Sequence, residues 1–198
     1  MRFVRRLWVL VLLIPAVLGA CADDDPAFVD TGAGSTTSTT SAEAATTTTA
    51  SAGFATSTVS TPPEQRGLLK KVTATQEGDV DRVTFEFEGE LPGYRVGFID
   101  RPIIQDGSGE EITVDGEAVL SVHFEPASGF DLEAPEGRQV YTGPNRLDLA
   151  TRVVLDVVRT GDFEANLAWA LGLDTKAAFR VRTEAAPNRV IVEVQVSP

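Results

Sequence analysis

The feature that most constrains this chain is an apolar alternation with a period of two, repeated along its second half. In "VDRVTFEFE", Val83, Phe85 and Phe87 share one parity while Arg82, Thr84, Glu86 and Glu88 share the other. That is the pattern of a strand with one buried face. The pattern returns with Tyr94, Val96 and Phe98, with Ala118, Leu120, Val122 and Phe124, with Phe179 and Val181, and with Val190, Val192, Val194 and Val196. Turn formers separate the runs: "EGD" at 77–79, "LPG" at 91–93, "DGSG" at 106–109, "VDGE" at 114–117 and "APN" at 186–188. Short alternating strands at this spacing predict an all-β fold, an antiparallel β-sandwich or barrel. One run is ambiguous. "GDFEANLAWALGL", residues 161–173, alternates as Phe163, Ala165, Leu167, Trp169 and Leu171, yet its Ala and Leu content suits a helix, and propensity favours the helix.

The first third of the chain has a different character. Arg2, Arg5 and Arg6 precede a twelve-residue apolar run at 7–18, followed by small residues. A charged start, a short apolar middle and a small-residue exit make an export signal, and twelve residues fall short of the roughly twenty that a membrane-spanning helix needs. Leu18-Gly19-Ala20-Cys21 holds the only cysteine of the chain. These four residues resemble the lipobox of bacterial lipoproteins, which implies cleavage before Cys21 and a diacylglyceryl group on its sulfur. The expected segments are a signal peptide at 1–20, a lipidated Cys21 opening a linker at 21–66, and one domain at 67–198. Residues 31–63 carry 12 threonines and 6 serines in 33 positions, with Phe54 and Val59 as the only large apolar side chains. Such a stretch buries too little to offset the entropy of ordering and is expected to be disordered. The protein is therefore expected on the outer face of the cytoplasmic membrane, held by membrane lipid through Cys21.

Residues 67–198 hold 13 Lys plus Arg against 23 Asp plus Glu, a net −10. Counterion release from a phosphate backbone needs clustered cations, so nucleic acid is excluded as a partner.

The domain resembles the AMIN-like domain of exported actinobacterial proteins and lipoproteins, a relative of the AMIN domain of cell-wall amidases and secretins. The resemblance rests on "DRVTFEFEGELPGYRVGFIDRPI" at 81–103, on "GDFEANLAWALGL", and on "AFRVRTEAAPNRVIVEV" at 178–194, where Pro187, Arg189, Val190 and Val192 match the AMIN closing pattern. It implies a β-sandwich, turns the reading of residues 161–173 towards a strand, and implies an envelope location with contact to peptidoglycan, another wall glycan or an envelope protein. It carries no catalytic residues, so no enzyme activity, cofactor or metal is expected.

Candidate sites follow from side-chain chemistry. His123, the sole histidine, shares an outward parity with Ser121 and Glu125, but no third partner completes a hydrolytic triad. Glu110 and Glu111 are adjacent strand residues that face opposite ways and make no carboxylate pair, and Asp106 and Glu110 with backbone carbonyls supply too few ligands for tight calcium binding. Tyr94 and Trp169 have flat faces suited to stacking on sugar rings, although their parity places them with the core. Arg101, Arg180, Arg182 and Arg189 are cations able to grip a carboxylate, and Arg180 and Arg182 share one face of their strand. Intact-mass measurement of the native protein should find acyl mass on a chain beginning at Cys21, and Cys21→Ser should leave the signal uncleaved; a mature protein starting elsewhere would contradict the lipid anchor.

Overall fold

The structure, a computed structural model, describes residues 53–196. The export signal, Cys21 and the linker up to residue 52 lie outside the described residues. The described part contains β1 (Val59–Thr61), β2 (Gly67–Glu77), β3 (Val80–Gly89), β4 (Gly93–Ile99), β5 (Ile103–Ile104), β6 (Glu111–Ile112), β7 (Ala118–Glu125), β8 (Ala127–Ser128), β9 (Phe130–Asp131), β10 (Arg138–Gln139), β11 (Val154–Phe163), β12 (Asn166–Leu173), β13 (Phe179–Glu184) and β14 (Asn188–Gln195). Two five-stranded sheets dominate. The first runs β1-β4-β7-β12-β11 and the second β13-β14-β3-β2-β8. Every pairing in them is antiparallel except that of β2 with β8. The chain is an all-β antiparallel sandwich.

The alternating residues face each other between the sheets. Val83, Phe85, Val96, Leu120, Val122, Phe124, Phe179, Val181, Val190, Val192 and Val194 all join the core. Its centre is aromatic: Phe124 meets Phe85 and Phe87 edge-on at 5.0 Å each, and Trp169 lies between Phe85 and Tyr141 at 5.9 and 5.6 Å. Edge-to-face packing places the electropositive ring rim against a neighbour's electronegative face. A polar clamp ties the sheets together at one end. Asp81, fully buried on β3, accepts three backbone N–H bonds through Oδ2, from Arg152, Val153 and Val154 at 2.8, 2.6 and 2.9 Å.

Residues 161–173 form the hairpin of β11 and β12, not a helix. β12 lies between β7 and β11, and from Leu167 to Leu173 every residue is buried. The Ala and Leu content that favours a helix is here a consequence of burial on both faces, which overrides propensity.

A second difference concerns residues 53–63, which the composition assigns to the linker. They form a strap across the open side of the sandwich. Ala55 exchanges two backbone hydrogen bonds with Phe179 at the margin of the second sheet, at 2.9 and 2.8 Å. A few residues later Val59–Thr61 pairs with β4 at the margin of the first. Val59 packs against the core, and the Phe54 ring sits 4.5 Å from the Arg180 guanidinium carbon. The strap needs glycine beneath it. A Cβ on Gly97 would meet Thr58 Oγ1 at 2.6 Å, and one on Gly93 would meet the Pro62 carbonyl oxygen at 2.5 Å. The anchors are the two large apolar residues of an otherwise hydroxyl-rich stretch, aided by main-chain pairing that needs no particular side chain.

Candidate functional site

The sheets carry different chemistry on their outer faces. On the second sheet, β13, β14 and β3 turn charged residues outward in register. Arg180 lies opposite Glu193, and Glu193 opposite Arg82. Glu193 has 0% exposure. Its Oε1 accepts from Arg82 Nε and Nη2 at 3.1 and 2.8 Å and from Arg182 Nη2 at 2.7 Å, and its Oε2 accepts from Arg180 Nε. Burial works against ionisation of Glu193, but the hydrogen bonds from Arg180, Arg82 and Arg182 outweigh it and hold its carboxyl below the usual glutamate value of 4.5. Arg189 on the same face bonds Glu86 through Nε and Nη2 at 3.2 and 3.0 Å, and Glu184 lies 3.5 Å from its Nη1. The hydrogen bond from Arg189 is the main cause that lowers the Glu86 carboxyl.

Arg180 and Arg182 thus share one face as their parity predicts, and Arg189 on β14 joins them there, but each is engaged in an internal ion pair. Arg101 lies apart from them. Its Nη2 donates to the Gly116 carbonyl at 2.8 Å, and it lines a depression of about 400 Å³ with Asp100, Glu117 and Lys176. Trp169 and Tyr94 are corrected as sugar-stacking candidates. Trp169 has 0% exposure and Tyr94 6%, because both rings pack between the sheets.

The outer face of the first sheet is built differently. One end is roofed by β5 and β6, whose Ile103 and Ile112 pack with Val114 on Val119, Val158 and Ala170. The rest of the face lies open as a polar trough. Along one row of its floor Ser60, Arg95, His123 and Ala168 are cross-strand neighbours, with Ser121 two residues from His123 on the same face of β7. From β4 to β12 the floor spans about 10 Å by ordinary strand spacing. The strap walls one side: Ser60, Thr61 and Pro63 share a depression of about 330 Å³ with Arg95, His123 and Glu125. Asp106, Gly107 and Phe163 wall the other, lining a depression of about 330 Å³ that also holds His123 and Asn166. The Asp106 loop is docked by the bond from its N–H to the Thr160 carbonyl at 2.9 Å.

Phe163 is 54% exposed at the mouth of the β11–β12 hairpin. Both turn residues adopt positive φ, Glu164 at 49° and Ala165 at 62°, as in the two-residue turns that match strand twist. Side chains rarely tolerate that conformation, so the surroundings must enforce it. They do so here: Ala127 N–H donates to the Ala165 carbonyl at 2.8 Å, and Asn166 Nδ2 donates to the Glu164 carbonyl at 3.1 Å. The ring is therefore presented on a fixed turn. Arg95 is exposed and makes no ion pair among the described residues.

Sequence reasoning placed His123 and Ser121 outward and missed the trough, since its two walls come from a supposed linker and a turn. Glu193 was also missed. Its signal was the acidic residue at outward parity in "VIVEVQV", on the strand next to Arg180 and Arg182.

The buried carboxylate gives the stability a pH dependence of definite sign. Because the folded value of Glu193 is depressed, its contribution is fully present above the unfolded value near 4.5 and is lost as the pH falls through the lower folded value. Thermal denaturation from pH 7 to pH 3 should show this acid loss below about 4.5, and Glu193→Gln should melt lower at pH 7 but lose less on acidification; an unchanged acid slope in Glu193→Gln would contradict the account.

A family model, the AMIN-like domain, matches residues 67–196. No curated protein and no solved structure matches the chain. The model covers most of the chain and all of the sandwich except the strap and β1, and by that match the chain belongs to the AMIN-like domain family.

Proposed function

We propose that this protein is a non-catalytic envelope module, anchored by lipid at Cys21 outside the cytoplasmic membrane, and that it binds peptidoglycan or another wall glycan along the trough of the first sheet. The observation that carries the reading is the exposed Phe163 ring fixed at one side of a trough lined by hydroxyl, amide, imidazole, guanidinium and carboxylate groups. Sugars offer apolar ring faces edged by hydroxyls, and an aromatic platform beside short polar side chains complements both. Family membership supports an extracytoplasmic setting. Recruitment of a protein by strand addition is less well served, because short segments cover part of the outer strands of both sheets. The lipid anchor and the linker would hold the trough within reach of the wall and raise its effective concentration there.

Sedimentation of the chain with purified cell wall tests the proposal. Phe163→Ala and Arg95→Ala should each lower the bound fraction while leaving the melting temperature almost unchanged, as surface substitutions do. Reversing the charge of Arg180 and Arg182 cannot serve this purpose, since two added carboxylates beside the buried Glu193 would test folding. Absence of co-sedimentation at low salt, where charge attraction is least screened, would overturn the glycan reading in favour of a protein partner.

A further inference from the structure

The strap lies outside the residues that match the family, yet it forms a wall of the trough. The family match begins at Gly67, whereas Thr58, Ser60, Thr61 and Pro63 line depressions that also contain Arg95 and His123. We propose that the binding site is composite: the family domain supplies the floor and the distal wall, and the last residues of the tether supply the proximal wall, so that strap docking and ligand occupancy stabilise one another. The ligand class rests on the glycan reading above, but the composite wall does not.

Three observations carry the inference. First, the strap is held by few contacts: two backbone bonds at Ala55, a three-residue pairing at Val59–Thr61, the bond from Tyr94 N–H to Thr61 Oγ1 at 3.1 Å, the Val59 side chain against the core, and the Phe54–Arg180 contact. Segments held so lightly open far more easily than core strands. Second, the strap continues the row of the floor by one strand and adds polar groups at its margin. Ser60 lies opposite Arg95, Arg95 lies opposite His123, and Thr58 covers Gly97. Third, Arg95 has no carboxylate partner of its own among the described residues, so its donors are available to a ligand that lies over the floor and reaches the strap. A ligand touching both sides binds the docked form better than the released one. Linkage then requires that docking strengthen binding by the factor by which binding strengthens docking. A pull on the tether that peels the strap would weaken the site, coupling attachment to recognition.

The chain contains one histidine, so the reactivity of His123 towards diethyl pyrocarbonate reports access to the floor without interference. Two variants of the full chain release the strap: Ala55→Pro, which removes the donor to Phe179, and Val59→Asp, which puts a charge against the core. A third locks it, combining Thr58→Cys and Gly97→Cys with Cys21→Ser. The Thr58 Cβ is 3.3 Å from where a Gly97 Cβ would stand, just under the spacing of about 3.5–4.5 Å that a disulfide takes. Carbethoxylation of His123 should accelerate several-fold in the released variants, slow in the locked chain and recover on reduction. Equal rates in all forms would overturn the composite wall, whether or not the protein binds cell wall. Responsive rates without wall sedimentation would sustain the composite wall and sink the glycan reading. Wall binding undiminished in the released variants but lost in Phe163→Ala would overturn the strap's contribution to recognition.

Discussion

Two stacked sheets bury their inner faces against each other, but their outermost strands still present rows of unpaired N–H and C=O groups. Left open, such edges template association with other chains. This chain covers part of each with short local segments. β1 pairs with β4, Ala55 bridges to Phe179 on β13, and β8 lies along β2. Along β11, Arg159 N–H donates to the Asn145 carbonyl at 2.7 Å and Leu147 N–H to the Val157 carbonyl at 3.0 Å. Covering the edges has a functional consequence: the broad surfaces left for recognition are the outer faces. It also explains why a hydroxyl-rich segment with two apolar residues is drawn into the fold, since the backbone of β4 and β13 offers bonds that solvent would otherwise take.

The two outer faces then divide the work. On the second sheet, ion pairs cross-link β13, β14 and β3, with Glu193 gripped by three arginines. Burying a carboxylate is costly unless charge-assisted hydrogen bonds satisfy it, and here all four contacts come from guanidinium groups. Those arginines are therefore occupied in holding strands together. The first sheet has little of this internal pairing on its open part, with small residues at Gly97, Ser121 and Ala168 on its floor. Small floor residues between raised walls make a channel, and the polar groups that remain unpaired there are the ones available for recognition.

The all-β architecture and most of the core were legible in the sequence because period two is a direct consequence of strand geometry. Val83, Phe85, Val122 and Val192 were readable for that reason. The β11–β12 hairpin was less so, since a strand buried on both faces carries Ala and Leu on its second face too, and that content suits a helix as well as its alternation suits a strand; the family resemblance pointed to the strand, and the strand is what forms. The arginine face was half legible. Parity brought Arg180 and Arg182 together, but their shared carboxylate sits on a neighbouring strand whose register no local pattern reveals. The strap and the trough were illegible for a similar reason. Phe54 and Val59 stood out in the linker, yet nothing in the sequence says that β4 and β13 lack partners until the strand order is known.

The central claim is that ligand recognition belongs to the open face of the first sheet, between the strap and the β11–β12 hairpin. The most direct measurement is the map of backbone amide shifts when soluble cell-wall glycan fragments are titrated into the isotopically labelled protein. The account predicts perturbations clustered at Ser60, Arg95, Ser121, His123, Phe163 and Asn166, with the amides of Arg82, Arg180, Arg182 and Glu193 unmoved. Perturbations centred on the arginine face instead, or none at saturating fragment, would contradict it.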